Sequence, residues 1–186
     1  MSAEVHVLFE GYVGKRTAAT VGFVRDGAQL IVVDPGMVPD QAAISGPLAA
    51  LGVEAEQVTD VVISHHHPDH TINVGMFPKA RVHDRSVIYR GDVWEDRAAE
   101  GTHVSPAVWL IETPGHSPED ITTLVDTDDG IVAFTHLWWS ADGPSEDPYA
   151  SDPAALHAGR ARVLDVAARI VPGHGAAFTP DDRTLR

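Results

Sequence analysis

Apolar positions come in short runs along this chain, and most are too short for a helix. Val5 to Val13, Thr20 to Arg25 and Gln29 to Val33 have the β-branched, apolar content of strands, and Asp26-Gly27 between the second and third is a tight-turn signal. The chain therefore opens as an antiparallel sheet. Asp34-Pro35-Gly36 stops the third strand. A helix is predicted from about Pro39 to Leu51, with Asp40 in its first turn, Gly52 at its end and a break or kink at Gly46-Pro47. Asp60 to Ser64 is the next strand.

Further along, Arg81 to His83, Ser86 to Tyr89 and a longer run from Val104 to Glu112 read as strands. Ile121 to Asp126 and Gly130 to Phe134 form a hairpin turned at Asp128-Asp129-Gly130. Asp142 to Tyr149, rich in Gly, Pro and acids, reads as an exposed loop. Ser151 or Asp152 caps a second helix with Pro153 at its first position, running to about Arg169, with Leu156, Val163, Leu164, Val166 and Ala167 on its apolar side. Two halves, each with strands and one long helix, predict a layered α/β sandwich with two sheets inside. The length of 186 residues suits a single domain, 1–186.

The charged residues narrow the choice of partner. Thirteen basic against 27 acidic residues give a net charge of −14, and the basic residues are dispersed, with Arg81, Arg85 and Arg90 the densest group. Such a surface repels a phosphate backbone, so nucleic acid is disfavoured as a partner. The sequence has no apolar run of membrane-spanning length and no basic segment followed by an apolar one at its start, so the expectation is a soluble, cytoplasmic protein without a membrane partner. With no cysteine, any metal must be held by histidine and carboxylate.

The candidate chemistry lies in Ser64-His65-His66-His67-Pro68-Asp69-His70, directly after the strand run Val61-Val62-Ile63. A histidine tract can be an expression tag, but tags sit at termini and are not interrupted by Pro and Asp at the end of a strand. His65 and His67, at alternating positions, can converge on one cation, while Asp69 and His70 can reach a second. His66 alternates away from them. His116, His136 and His174 each follow a predicted strand, whereas His6, His83, His103 and His157 do not and read as surface or core residues. Trp138-Trp139 could wall a pocket; packing beneath the 142–149 loop, or a homodimer contact, are the equal alternatives. No substrate-binding residue is otherwise identifiable.

His65-x-His67-x-Asp69-His70 resembles the HxHxDH signature of the metallo-β-lactamase superfamily. Asp34-Pro35-Gly36, Thr113-Pro114-Gly115-His116 and Pro172-Gly173-His174-Gly175 resemble its other motifs, in order. Asn73, Gly75 and the run beginning Glu146-Asp147-Pro148 are similar to the metallo-β-lactamase domain-containing proteins within it. The resemblance implies a four-layered αββα sandwich with a dinuclear metal site along one edge. His65, His67 and His116 would hold one metal, and Asp69, His70 and His174 the other, with Asp34 anchoring the ligand loop by hydrogen bonds. The expected cofactor is Zn²⁺, one or two ions, with Fe or Mn as alternatives.

At His136 the chain departs from the pattern, because many family members carry a metal-bridging aspartate there. A neutral imidazole can bind one ion but does not span two as a carboxylate does. His136 is therefore expected to ligate one metal; the alternatives are a weak second site, or Asp142 or water in its place. The implied activity is that of a metallo-hydrolase whose metal-activated hydroxide attacks a small ester, lactone, thioester or amide, with Asp69 orienting the nucleophile and passing a proton to the leaving group. A phosphodiester nuclease, a member without catalysis and an iron-dependent oxygenase are the rival readings.

Overall fold

The computed structural model describes residues 2–186; Met1, with which the N-terminal expectation begins, lies outside them. Seven strands form the first sheet in sequential order: β1 (Glu4–Phe9), β2 (Val21–Asp26), β3 (Gln29–Val33), β4 (Asp60–Val62), β5 (Arg81–His83), β6 (Val87–Arg90) and β7 (Val93–Asp96). The second sheet has five, ordered β12 (Ala167–Pro172), β11 (Gly130–Thr135), β10 (Ile121–Thr127), β9 (Val108–Glu112) and β8 (His103–Ser105). Both are mixed: β3, β4 and β5 run parallel, as do β11 and β12, and the remaining pairs are antiparallel.

The alternation of apolar side chains sends each sheet's two faces into different cores. Val24, Ile31, Val33 and Val62 of the first sheet meet Leu110, Ile121, Val125 and Phe134 of the second in the central layer. Phe23, Val32 and Val61 point outward and bury Ile44 and Leu48 of helix α1 (Ala42–Ala50). Leu124, Ala133 and Ile170 do the same for Leu156 and Val163 of α3 (Pro153–Leu164), the intervening α2 being a single turn at Pro68–Thr71. The result is the metallo-β-lactamase fold, helix, sheet, sheet, helix. No helix of the described residues is long and apolar enough to cross a membrane.

Several local expectations need correction. α1 continues through Pro47 without a break, because the missing amide costs one hydrogen bond while Ile44 and Leu48 on either side stay buried. The second long helix ends at Leu164, not near Arg169. Ala167 to Pro172 instead form β12, because their backbone is paired with β11 from Ile131 to Thr135. The run from Val104 to Glu112 is a hairpin, β8 and β9, turned at Pro106-Ala107. β7, exposed along its whole length, has no core-facing alternation to reveal it. β1 ends at Phe9, and Val13 lies in a loop that the Tyr12–Ala18 bridge closes.

Candidate metal centre

Parallel pairing puts several strand ends on one edge. Val33 is in register with Val62, so β3 delivers Asp34 beside Ser64-His65, which follow β4. Thr135 is in register with Pro172, so β11 and β12 deliver His136 and His174 together. β9 ends at the same edge, and His116 lies in the loop after it. The two sheets are joined there by backbone bonds from Ile121 N to the Ser64 carbonyl (3.0 Å) and from Thr20 N to the Gly173 carbonyl (2.8 Å).

Six of the seven expected ligands are histidines, and their rings form one cluster. His67 Nδ1 lies 2.9 Å from His65 Nε2 and 3.1 Å from His116 Nε2. On the other side, His136 Nε2 and His174 Nε2 are 3.1 Å apart, and Asp69 Oδ2 lies 3.5 Å from His174 Nε2 and 3.7 Å from His70 Nε2. Two groups of buried donors could each hold an ion: His65, His116 and His136, and His70, His136 and His174. His136 belongs to both. Its ring sits among four others, with centroids between 4.2 and 5.1 Å from those of His116, His65, His70 and His174.

What holds the second nitrogen of each ring decides which one is free. His116 Nδ1 donates to Asp147 Oδ2 (2.7 Å), His70 Nδ1 to Asp34 Oδ2 (2.9 Å) and His174 Nδ1 to the Ala18 carbonyl (3.0 Å). His65 Nδ1 lies 3.0 Å from Ser64 Oγ and 3.5 Å from Asp120 Oδ1. The carboxylate and carbonyl contacts of His116, His70 and His174 select the tautomer whose Nε2 lone pair faces the cluster, as metal-ligating histidines require. His70 Nε2 and His136 Nδ1 are buried without a hydrogen-bond partner. Orphaned nitrogens in such a nitrogen-rich, carboxylate-edged cluster fit a divalent transition metal.

Asp34 occupies the left-handed region at φ 51°, an uncommon place for a residue other than glycine. Its carboxylate gives a local reason: besides His70, it accepts from Ser64 N at 2.6 Å, tying the third strand's end to the ligand loop. Gly36 must be glycine for space, since a Cβ there would collide with the Asp69 carbonyl. Likewise a side chain at Gly173 would run into the His136 ring.

Burial lowers the pKa of His65 and His136 well below the ordinary histidine value, and the neighbouring imidazoles lower it further. His67 and His174 are lowered chiefly by burial as well. His70 is also penalised by burial, but the charge and hydrogen bond of Asp34 outweigh that and leave its pKa raised. Burial pushes Asp120 up to about 6, against the amide and hydroxyl of Ser117 that hydrogen-bond it.

The remaining candidates disperse. His66, half exposed, turns away to Asp84 Oδ2 (3.0 Å). His83 is buried against Asp60 (2.8 Å), and His103 stacks on Trp109. Asp142 lines a separate cleft with Phe178 and Arg183. Trp138 and Trp139 part company: Trp138 is fully buried with its indole N–H on the Leu185 carbonyl, while Trp139 lines the cavity over the cluster. The acidic loop is not exposed throughout, because the Asp147 carboxylate is buried under it. Sequence reasoning did not assign roles to Asp147, Asp120 or the Ala18 carbonyl. Ser117-x-x-Asp120 is a turn signal that could have flagged the second, but nothing local flags the other two.

The model of the metallo-beta-lactamase superfamily matches residues 14–147. Metallo-beta-lactamase domain-containing protein 1 of Xenopus laevis is 33% identical over 187 residues, spanning 94% of this chain and 80% of that protein. Its human counterpart is 36% identical over 157 residues, spanning 80% of this chain and 59% of the human protein. Among solved structures, a Thermotoga maritima protein described as a metallo-beta-lactamase superposes with a TM-score of 0.76 at 21% identity, covering 97% of this chain and 100% of that one. AidC, a dizinc quorum-quenching lactonase, superposes with a TM-score of 0.67 at 17% identity (89% and 77% covered), and TTHA1623 in a di-iron-bound form with 0.68 at 20% identity (92% and 94%).

Proposed function

The chain belongs to the metallo-beta-lactamase superfamily, and from that premise we propose that it is a metal-dependent hydrolase of a small ester, lactone, thioester or amide. The observation that carries the reading is the convergence of His65 Nε2, His67 Nδ1 and His116 Nε2, with His67 Nδ1 2.9 and 3.1 Å from the other two, in a cluster where protein acceptors hold the Nδ1 atoms of His116, His70 and His174. Dizinc and di-iron members among the structural neighbours support Zn²⁺ as the cofactor, with iron the alternative.

His65, His67 and His116, with His70, His136, His174 and Asp69 beside them, would hold a divalent cation that, when bound, would lower the pKa of water toward neutrality and polarise a carbonyl oxygen. The chain's own residues do the rest. Asp69, partly exposed at the mouth of the cluster, can orient the attacking water and carry its proton to the leaving group. His116 is kept from turning by Asp147, and His70 by Asp34. A cavity of about 890 Å³ over Asp69, His67, His116, His136 and His174 is of the size that suits a small molecule.

The test is reconstitution. Protein stripped with chelator and reloaded with zinc, iron or manganese is assayed on a panel of aryl esters, acyl lactones and thioesters. At least one metal is expected to restore turnover of at least one class, and Asp69→Asn to reduce kcat by about 100-fold or more. A metal-loaded protein inert on the whole panel would refute the proposal.

A further inference from the structure

Resting on the hydrolase reading, we infer that the cavity selects a substrate whose part remote from the scissile bond is flat and apolar, and that it rejects anionic groups there. Trp139 and Tyr149 are nearly parallel, 10° between planes and 5.8 Å between centroids, and together they wall the cavity. One carboxylate sets both: Asp147 Oδ2 accepts from Trp139 Nε1 (3.1 Å) and Asp147 Oδ1 from Tyr149 N (2.8 Å). With its only donor engaged, the indole offers the cavity carbon faces alone. Val13, Pro118 and Pro148 extend this apolar lining.

Charge sharpens the choice. None of the described residues lining the cavity is lysine or arginine, whereas Glu119 lines it beside Asp69. Lys15 and Arg16 lie in the loop between the lining residues Gly14 and Thr17 but do not line the cavity themselves, and the Arg16 guanidinium sits over the Tyr12 ring, 5.7 Å from its centroid. A substrate's carboxylate or phosphate on this wall therefore finds Glu119 and two aromatic faces, with no lysine or arginine among the lining residues to pair with. The same wall stacks well against an aryl ring.

Three probes that share one metal-chelating end separate this from the hydrolase reading: benzohydroxamate and its 4-sulfonate and 4-trimethylammonium derivatives, titrated calorimetrically into zinc-loaded protein. The sulfonate is expected to bind about tenfold or more weakly than the parent, and the trimethylammonium derivative at least as tightly as the parent. Glu119→Gln should shrink the sulfonate penalty several-fold, and Tyr149→Ala, at an exposed position that does not threaten folding, should weaken the parent about five- to tenfold. Equal or tighter binding of the sulfonate, through Lys15 or otherwise, or an unchanged affinity in Tyr149→Ala, overturns the inference while leaving the hydrolase reading standing. If none of the three binds, the metal-site reading fails and the inference falls with it.

Discussion

Oδ2 of Asp147 lies 2.7 Å from Nδ1 of His116 and 3.1 Å from the indole nitrogen of Trp139, so a single buried oxygen holds both a candidate metal ligand and a wall of the cavity. The hydrogen bond from His116 keeps the Asp147 carboxyl below the usual carboxylate range although burial opposes it. Loss of that charge should loosen the ring and lower the basicity of its free nitrogen. Asp147→Asn is expected to weaken zinc binding by about 10- to 100-fold. Competition with a chromogenic chelator measures it, and an unchanged affinity would show that His116 needs no anchor.

His136 completes both groups of buried donors, where the family pattern often has an aspartate. A neutral imidazole has one lone pair for a metal, so the two groups are alternatives for His136, and its removal should weaken one zinc equivalent by about tenfold or more. His67→Ala should weaken the equivalent that His65 and His116 share with it. Calorimetric titration of the single variants and of the double variant tells whether the two losses fall on the same ion. Weakening of both equivalents in His136→Ala alone would overturn the one-metal assignment.

How much of this was legible follows from where the signals are local. The histidine loop, its strand and the four ordered motifs are contiguous in sequence, so the fold and the clustering of His65, His67, His70, His116, His136 and His174 could be anticipated. Asp147 could not, because its acidic, proline-rich surroundings read as a solvated loop and its burial depends on His116, 31 residues away. Ala18 acts through a backbone carbonyl on His174, 156 residues away, and a carbonyl leaves no mark in sequence. Only the start of β12, Ala167 to Arg169, falls within the expected helix, because apolar spacing over Val163 to Ala167 fits either period; its parallel partner β11 decides the matter only in three dimensions.

Gly36 predicts a coupling of stability to the ligand loop. Its carbonyl accepts from Asn73 Nδ2 (2.7 Å) and the next amide, Met37 N, donates to the Asp69 carbonyl (2.9 Å), which leaves no room for a methyl group. Gly36→Ala should cost about 1–3 kcal/mol in urea unfolding and weaken zinc binding, since relief of the clash displaces Asp69 and His70. Gly46→Ala serves as the control: it lies in α1 with open space around it, and is expected to be neutral or stabilising by up to about 1 kcal/mol.

The metal-free protein should be acid-labile in a window set by its histidines. His65 and His136 have folded pKa values well below the ordinary 6.5, so at neutral pH both states leave them uncharged. As the pH falls through 6.5 the unfolded chain takes up protons that the folded chain refuses. Stability therefore drops on acidification, by about 1.4 kcal/mol per pH unit for each such group, and the loss continues until the folded pKa is reached. His70 acts in the opposite sense: its raised pKa contributes stability below 6.5 that is lost as the pH rises through the folded value. Asp120, pushed up to about 6, also takes its proton in the folded state first, but four lowered histidines, His65, His67, His136 and His174, stand against these two raised groups, so urea midpoints of chelator-treated protein should fall from pH 7 to pH 5. Zinc-loaded protein should resist the change until protons compete the metal away. A flat profile for the metal-free protein over that range would mean that these imidazoles are not held neutral by the fold.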